Sequence, residues 1–451
     1  MFGRDESCYP ENDPLPPWSH VQMRTFLNAI LARVVLIPLF TTVLLIVTVS
    51  DCLWRLRRRS RNHVSRDRAK LHVTVIVTFY NANWCRSHLT PIALAENVGQ
   101  VTAVVDGPTS AIPGVEYLFP PSHLVRVFGR IFAKYLVLLR VALTRRSDVI
   151  IGYFLVPNGL CALLTARLLG RSAVYQNTVG PTEIIGGGVL TDNKILERLR
   201  WRSWTLEQLT FAAVRRFDAV VVRGQRGIEY LNSRCLTLRP EVIVGSVDCE
   251  RFSPGRYERC YDLITVARLV EIKQLDRILQ VVRRLRHHRP DVSAVIVGDG
   301  PLLHDLRRQA DALGVRENVS FLGRVNDVEK LLARARVFIL TSRMEGLSIA
   351  LAEAMACGVP VVVSDVGELG ELVENGVTGW RVAPDDVDGY AERVLHLLES
   401  PGEWQRLSAA ARHRVLDHNS LNSVALRWSS LLEAVVRDRD PICHSDTQAQ
   451  S

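Results

Sequence analysis

From Leu71 onward the chain repeats one pattern: a short, almost wholly apolar run, then a longer stretch with apolar residues at helical spacing. Such runs occupy 73–79, 101–105, 148–153, 172–177, 218–222 and 241–246. Uninterrupted apolar runs of this length predict strands buried on both faces, as in a parallel sheet. Amphipathic stretches such as 155–170 and 194–216 lie between them, and strand–helix alternation predicts a doubly wound α/β domain. A second series begins at Tyr261, with strands at 262–267, 293–298, 319–323, 337–342 and 359–364. Helical segments at 274–288, 302–313, 328–335 and 348–356 separate them. The two series predict two Rossmann-like parallel-sheet domains, 71–250 and 251–437, divided near 247–259 where Pro254-Gly255 breaks the pattern. Open α/β sheets bind ligands beyond the carboxyl ends of their strands, so two such domains facing each other enclose a cleft.

The first seventy residues read differently. Residues 1–24 are polar and carry Pro10, Pro14, Pro16 and Pro17, which predicts a flexible tail. Residues 34–50, VVLIPLFTTVLLIVTVS, hold no charge and anchor a membrane segment predicted over 25–54. A basic linker, 55–70, follows with Arg55, Arg57, Arg58, Arg59 and Arg61, while Asp5, Glu6, Glu11 and Asp13 precede the apolar run. This asymmetry predicts that everything after residue 55 lies in the cytoplasm. A cleaved signal peptide would need small residues where the chain has Val49-Ser50-Asp51-Cys52, and a buried core helix is seldom joined to an arginine run. Residues 438–451 are read as a second flexible tail.

Charge sharpens this picture. The chain of 451 residues carries a formal +9. Residues 51–70 alone hold eight Lys/Arg and two Asp, so most of the excess sits beside the apolar segment. That placement suits anionic lipid better than nucleic acid, and no zinc-finger spacing or aromatic RNA-binding signature accompanies it. The nine cysteines are scattered without a C-x-x-C pair, which argues against a disulfide framework or a zinc site.

Candidate chemistry gathers after the second-series strands. Arg268 and Lys273 stand five residues apart on a strand-to-helix loop, where two long cations can meet one polyanion or simply face solvent. VGDGPLL (297–303) carries Gly298 and Gly300 and reads either as a loop that a nucleotide approaches closely or as an ordinary turn. Strand 337–342 feeds Glu345-Gly346, and a helix starts near Leu347 or Ser348. Its free amides and dipole would suit a diphosphate. Glu353 lies eight residues beyond Glu345, roughly 12 Å along if wholly helical. The pair suits two hydroxylated parts of one extended ligand, or mere dipole compensation. A metal is disfavoured, because no His or third carboxylate keeps ligand spacing nearby.

Read in order, SVDCERFSP (246–254), VARLVEIKQL (266–275), VGDGPLL (297–303), VSFLGRV (319–325) and Glu345-x7-Glu353 followed by AMACGVPVVVSDVG (354–367) resemble the C-terminal half of the family 4 retaining glycosyltransferases. The resemblance runs from about 242 to 391. It implies a GT-B fold, two Rossmann-like domains facing a cleft, here with an N-terminal membrane helix. It implies that Arg268 and Lys273 contact the donor diphosphate and that Gly346, Leu347 and Ser348 offer it a helix tip. Glu345 would face the transferred sugar, Glu353 would hold the ribose, and 323–325, with Val325, would lie by the base. It implies a retaining transfer from a nucleotide-diphosphate sugar to a hydroxyl acceptor. Arg268, Lys273 and the helix tip would take a metal's place at the departing phosphate, so neither metal nor cofactor is expected. The membrane anchor and the basic stretch 126–146 favour a lipid-linked or surface-polysaccharide acceptor. The G-G-x-P-E pattern usual in that family appears here as Gly367-Glu368-Leu369-Gly370-Glu371, a reshaped loop. An epimerase or hydrolase on the same fold, or a non-catalytic nucleotide-sugar-binding module, are the rival readings.

The first half resembles the family less. Asn81-Ala82-Asn83-Trp84 stands where a Gly-Gly loop is usual, and FLVPNG (154–159) lacks the usual His. Asn81 and Glu183, the latter in the glycine-rich stretch 176–188, are the acceptor-side candidates. Residues 126–146 carry six basic and no acidic residues, with Arg126, Arg130 and Lys134 at helical spacing, which suits either an anionic membrane surface or a solvated face.

Overall fold

The computed structural model describes residues 20–58, 70–79, 81–178, 180–185, 196, 202–234, 240–255 and 257–437. Most of the expected N-terminal tail and basic linker, the glycines at 186–188 and the C-terminal tail lie outside the described residues.

The first lobe is a seven-stranded parallel sheet of order β3-β2-β1-β4-β5-β6-β7. Its strands are β1 (Leu71–Ile76), β2 (Val98–Val104), β3 (Val115–Leu118), β4 (Val149–Tyr153), β5 (Ser172–Gln176), β6 (Ala219–Val222) and β7 (Pro240–Val242). The central strands β4, β5 and β6 are buried along their whole length, as the unbroken apolar runs require. Helices α2 (Ala82–Ala93), α3 (Ser122–Thr144), α4 (Leu160–Leu169), α5 (Trp204–Val214) and α6 (Gln225–Arg234) cover it, while α1 (His20–Arg58) precedes them. The second lobe repeats the design with six parallel strands of order β10-β9-β8-β11-β12-β13. They are β8 (Tyr261–Val266), β9 (Ala294–Val297), β10 (Val319–Gly323), β11 (Ala335–Leu340), β12 (Val361–Ser364) and β13 (Trp380–Val382). Its helices are α7 (Leu275–Leu285), α8 (Leu303–Ala312), α9 (Val328–Leu332), α10 (Ile349–Ala356), α11 (Val387–Glu399), α12 (Pro401–Asn419) and α13 (Leu421–Arg437). Strand order reverses between β1 and β4 and between β8 and β11, which puts the ligand crevice of each lobe at those strand ends. The edge strands β3 and β13 were not expected; β3 is only half-buried and β13 has three residues, so neither leaves a clear apolar run.

Two features depart from the expected boundaries. The last helix, α13, returns to the first lobe and packs on α2, with Asn97 Nδ2 donating to the Ser429 carbonyl (2.8 Å). A contiguous 251–437 domain therefore loses its final helix to the first lobe, because Val424, Trp428, Leu431, Leu432 and Val435 make an apolar face that the α2 side of the first sheet buries. Helix α1 also overruns both ends of the 25–54 segment, since neither 20–24 nor 55–58 contains a Gly or Pro to stop it.

Within α1, Arg33–Trp54 is long and apolar enough to cross a membrane by length and composition. One stripe of it, Leu36, Phe40, Val43 and Val47, is buried in the first lobe's core, where α1 packs on α4 and α5. Polar ties reinforce the docking: Arg216 donates to the Leu44 carbonyl (3.1 Å), and Arg167 pairs with Asp51 (3.3 Å). Val35, Leu39, Leu45, Val49 and Leu53 stay exposed. In α3, the expected basic stripe is incomplete. Lys134 is buried, donating to the Val77 carbonyl (2.7 Å) and pairing with Asp106 (3.1 Å), and burial pushes its pKa down against the pull of Asp106. The break at Gly129 (φ 77°) separates Arg126 from the turn that carries Arg130 and Lys134, and of these two Arg130 is exposed while Lys134 is buried.

Candidate active site

The second lobe builds its site from three loops at adjacent strand ends. After β8 the chain runs through exposed Arg268 into a single turn, Glu271–Lys273, which brings Lys273 against the loop after β11. There Lys273 Nζ lies 2.5 Å from Glu345 Oε1, which also accepts from Ser342 Oγ (2.6 Å). Ser348 caps α10 by accepting from the Leu351 amide (3.3 Å), so the helix tip opens toward the cleft with its first amides unused by the helix. Gly346 and Leu347 form the approach to that tip.

Two glycines show why this loop cluster needs its residue types. Gly298 adopts φ 137°, and a Cβ there would stand 1.8 Å from the Ala267 carbonyl oxygen. Gly300 would likewise meet the Leu269 carbonyl at 2.4 Å. These glycines let their loop press against the backbone that carries Arg268. Gly367 (φ 55°) plays the same part for Glu345, whose carbonyl oxygen would lie 1.7 Å from an added Cβ.

Glu353, in the second turn of α10, is 6% exposed. Burial pushes its pKa up to about 8, with Arg251 opposing and Glu329 adding to the rise. Val325 is half-buried in the loop after β10, beside Asn326, whose carbonyl accepts from Arg251 (3.1 Å). Glu345, Lys273, Gly346, Leu347 and Ser348 are thus brought together, with Arg268 on the loop leading to Lys273; Glu353 sits one turn inside the helix and Val325 on a separate loop. Among the described residues no group of three His, Cys, Asp or Glu forms a metal-holding set.

The first lobe answers differently. Asn81 is exposed and caps α2, its Oδ1 accepting from the Trp84 amide (2.8 Å). Glu183 faces inward: its carboxylate accepts from the Leu155 amide (2.6 Å) and the Thr178 amide (3.1 Å), clamping the loops after β4 and β5. The acceptor-side candidate Glu183 thus holds those two loops together. Trp84 stacks near Phe154 (6.0 Å, 20°) and tilts over His88 (4.5 Å), forming an aromatic wall at the ends of β1 and β4. Phe154 holds φ 61°, rare for a bulky residue.

Sequence reading missed the groups that join the lobes. Arg223, at the end of β6, donates to the Leu347 carbonyl (3.2 Å) and to His88 Nε2 (3.0 Å). Glu371 accepts from the Gln225 amide (2.7 Å) and Glu368 from the Gly227 amide (3.1 Å), so two second-lobe carboxylates cap first-lobe helix α6. The reshaped Gly367–Glu371 segment was the only signal for this contact.

The family model for "Glycosyl transferases group 1" matches residues 247–414. The chain is similar to the GDP-mannose-dependent monoacylated alpha-(1-6)-phosphatidylinositol monomannoside mannosyltransferase of Corynebacterium glutamicum, 34% identical over 60% of this chain and 73% of that one. A related mannosyltransferase of Mycolicibacterium smegmatis is 35% identical over 41% of this chain, and the match spans about half of its length (54%). In fold, the chain is similar to Anabaena HepE, solved in complex with UDP (TM-score 0.63, 18% identity, 81% of this chain and 100% of that one). Sucrose-phosphate synthase of Thermosynechococcus elongatus gives a TM-score of 0.66 at 16% identity, over 82% of this chain and 100% of its own. The GT-B architecture is common to these structures and this chain.

Proposed function

The chain belongs to the group 1 glycosyltransferase family, and from that premise we propose that it moves a sugar from a nucleotide-diphosphate sugar to a hydroxyl acceptor, with retention of anomeric configuration. The observation that carries this is the Lys273–Glu345 pair held at the mouth of α10, with Arg268 on the loop leading to it. In this reading Lys273, Arg268 and the helix tip stabilise the departing diphosphate, a task otherwise given to a divalent metal. Each such fixed group contributes on the order of 3–4 kcal/mol at a reacting centre. The donor C1–O bond breaks toward the phosphate, and the acceptor oxygen bonds to C1 from the same face. The acceptor proton passes to the leaving phosphate oxygen. Glu345 orients the sugar and Glu353 the ribose, while no metal or cofactor takes part.

The named relatives are mannosyltransferases, and relatives of this kind support transfer over epimerisation or mere binding. Their phosphatidylinositol mannoside acceptors favour a lipid-linked or surface-polysaccharide acceptor here as well. Helix α1 supports attachment to the cytoplasmic leaflet. Its inner stripe is docked on α4 and α5 while its outer stripe is apolar and exposed, which favours a helix lying in the membrane surface over one standing across it.

The test is a panel of radiolabelled nucleotide sugars, GDP-mannose and UDP-glucose among them, given to membranes containing the full chain in EDTA. Label should enter the lipid or polysaccharide extract, undiminished by EDTA. Transfer that stops in EDTA would remove the metal-independent mechanism, and release of free sugar without transfer would favour a hydrolase.

A further inference from the structure

Arg223 belongs to the first lobe, yet its guanidinium lies against the second lobe's helix tip. The residue is 5% exposed, and a Cβ on Gly346 would stand 3.5 Å from its Cδ. Its two hydrogen-bond acceptors, the Leu347 carbonyl and His88 Nε2, are both uncharged, and its buried Nε has no partner among the described residues. His88 must be neutral to accept, with its proton on Nδ1. Burial, with Arg223 beside it, holds the His88 pKa well below the usual value. Glu183 and Glu345 are close enough to favour the charged guanidinium, but neither hydrogen-bonds it: Glu183 accepts from two backbone amides, and Glu345 is held by Lys273 and Ser342. Among the described residues no carboxylate pairs with Arg223.

A buried cation without a directly bonded counter-ion is costly, and an anion placed against it completes its surroundings. Here the guanidinium lies against the Gly346-Leu347 approach to the tip of an eight-residue helix, whose first amides add further affinity for negative charge. We propose that Arg223 is a phosphate-binding residue supplied by the acceptor lobe, so that the terminal phosphate of a nucleoside diphosphate is gripped from both sides of the cleft. This rests on the donor site proposed above. It also gives the unusual Gly367–Glu371 segment a purpose. Glu368 and Glu371 tie the amides of Gly227 and Gln225 to the second lobe and hold the loop that follows Arg223 in register with the tip. Gly224 makes room for this, because a Cβ there would stand 2.3 Å from Glu368 Oε2.

The experiment compares calorimetric binding of UDP and GDP with that of UMP and GMP, using the full chain in detergent. In Arg223→Gln the affinity for the preferred diphosphate should fall by about tenfold or more, while the matching monophosphate changes by less than about twofold. Arg223→Lys should restore part of the loss. Equal weakening of both nucleotides, or no weakening of either, overturns the proposal. A measurement on the wild type guards against a variant that fails to fold. Hydrogen exchange in 219–224 should slow with the diphosphate and not with the monophosphate, and identical exchange with both overturns it equally. Should the wild type bind neither diphosphate, the donor-site reading itself fails, an outcome separate from failure of the Arg223 variants alone.

Discussion

In the second lobe the polar groups of the site follow their strands within a few residues, and each loop presses on the next through a glycine. In the first lobe the equivalent strand ends carry an aromatic wall, an inward-turned carboxylate and a buried arginine that reaches away from its own sheet. Both lobes share one topology and one crevice position, so the difference fits the division of labour proposed for them, a donor diphosphate at the second lobe and an acceptor hydroxyl at the first. A diphosphate is a fixed, compact anion that short loops and a helix tip can meet. An acceptor hydroxyl offers no such handle, and the first lobe spends its polar groups on shaping loops and on reaching its partner.

This contrast can be broken most severely at Lys273. Lys273→Ala should lower kcat by about two to three orders of magnitude with the fold intact, as loss of one fixed donor at a reacting centre does. Near-wild-type turnover would move the diphosphate out of the second lobe. Next comes Glu353, whose folded pKa of about 8 exceeds the ordinary carboxyl value of 4.5. Below about 4.5 both folded and unfolded states hold the proton. As pH rises toward 8 the unfolded chain releases it first, so stability falls across that window. Glu353→Gln should lack this slope and gain about 3–5 kcal/mol over wild type by pH 9, read from urea midpoints across pH. Parallel curves would show that the carboxyl titrates normally.

Glu183 probes the other lobe. Glu183→Ala leaves the Leu155 and Thr178 amides without their acceptor and should cost about 2–3 kcal/mol of stability. A large loss of acceptor affinity with unchanged melting would return Glu183 to the acceptor side. The smallest effect belongs to Asn81→Ala, which removes the α2 cap and should cost about 1 kcal/mol with turnover per folded molecule retained.

The sequence showed most of the parallel strands through their apolar runs, and it showed the donor-side loops because each motif lies beside the strand that positions it. Lys273 and Glu345 are 72 residues apart; strand-end position marked both as candidates, and the order of the family-like motifs singled them out. Gly298 and Gly300 were legible as necessary glycines, though their neighbour is the backbone of 267–269. Lys134 and Glu183 looked like surface or cleft groups because spacing reports a helix face or a loop and says nothing of what packs over it. The short edge strands β3 and β13 were too brief to register.

What residue pattern alone determined was the paired α/β architecture, the apolar α1 segment and the helix tip with its cations, since burial periodicity and strand-end motifs are local properties of the chain. Only the tertiary structure decided that α13 closes the first lobe, that α1 docks one stripe and leaves another bare, and that Arg223 crosses to the Leu347 carbonyl 124 residues away. Those outcomes depend on which buried surfaces meet. No local pattern encodes a contact between side chains that share neither a helix turn nor a strand register.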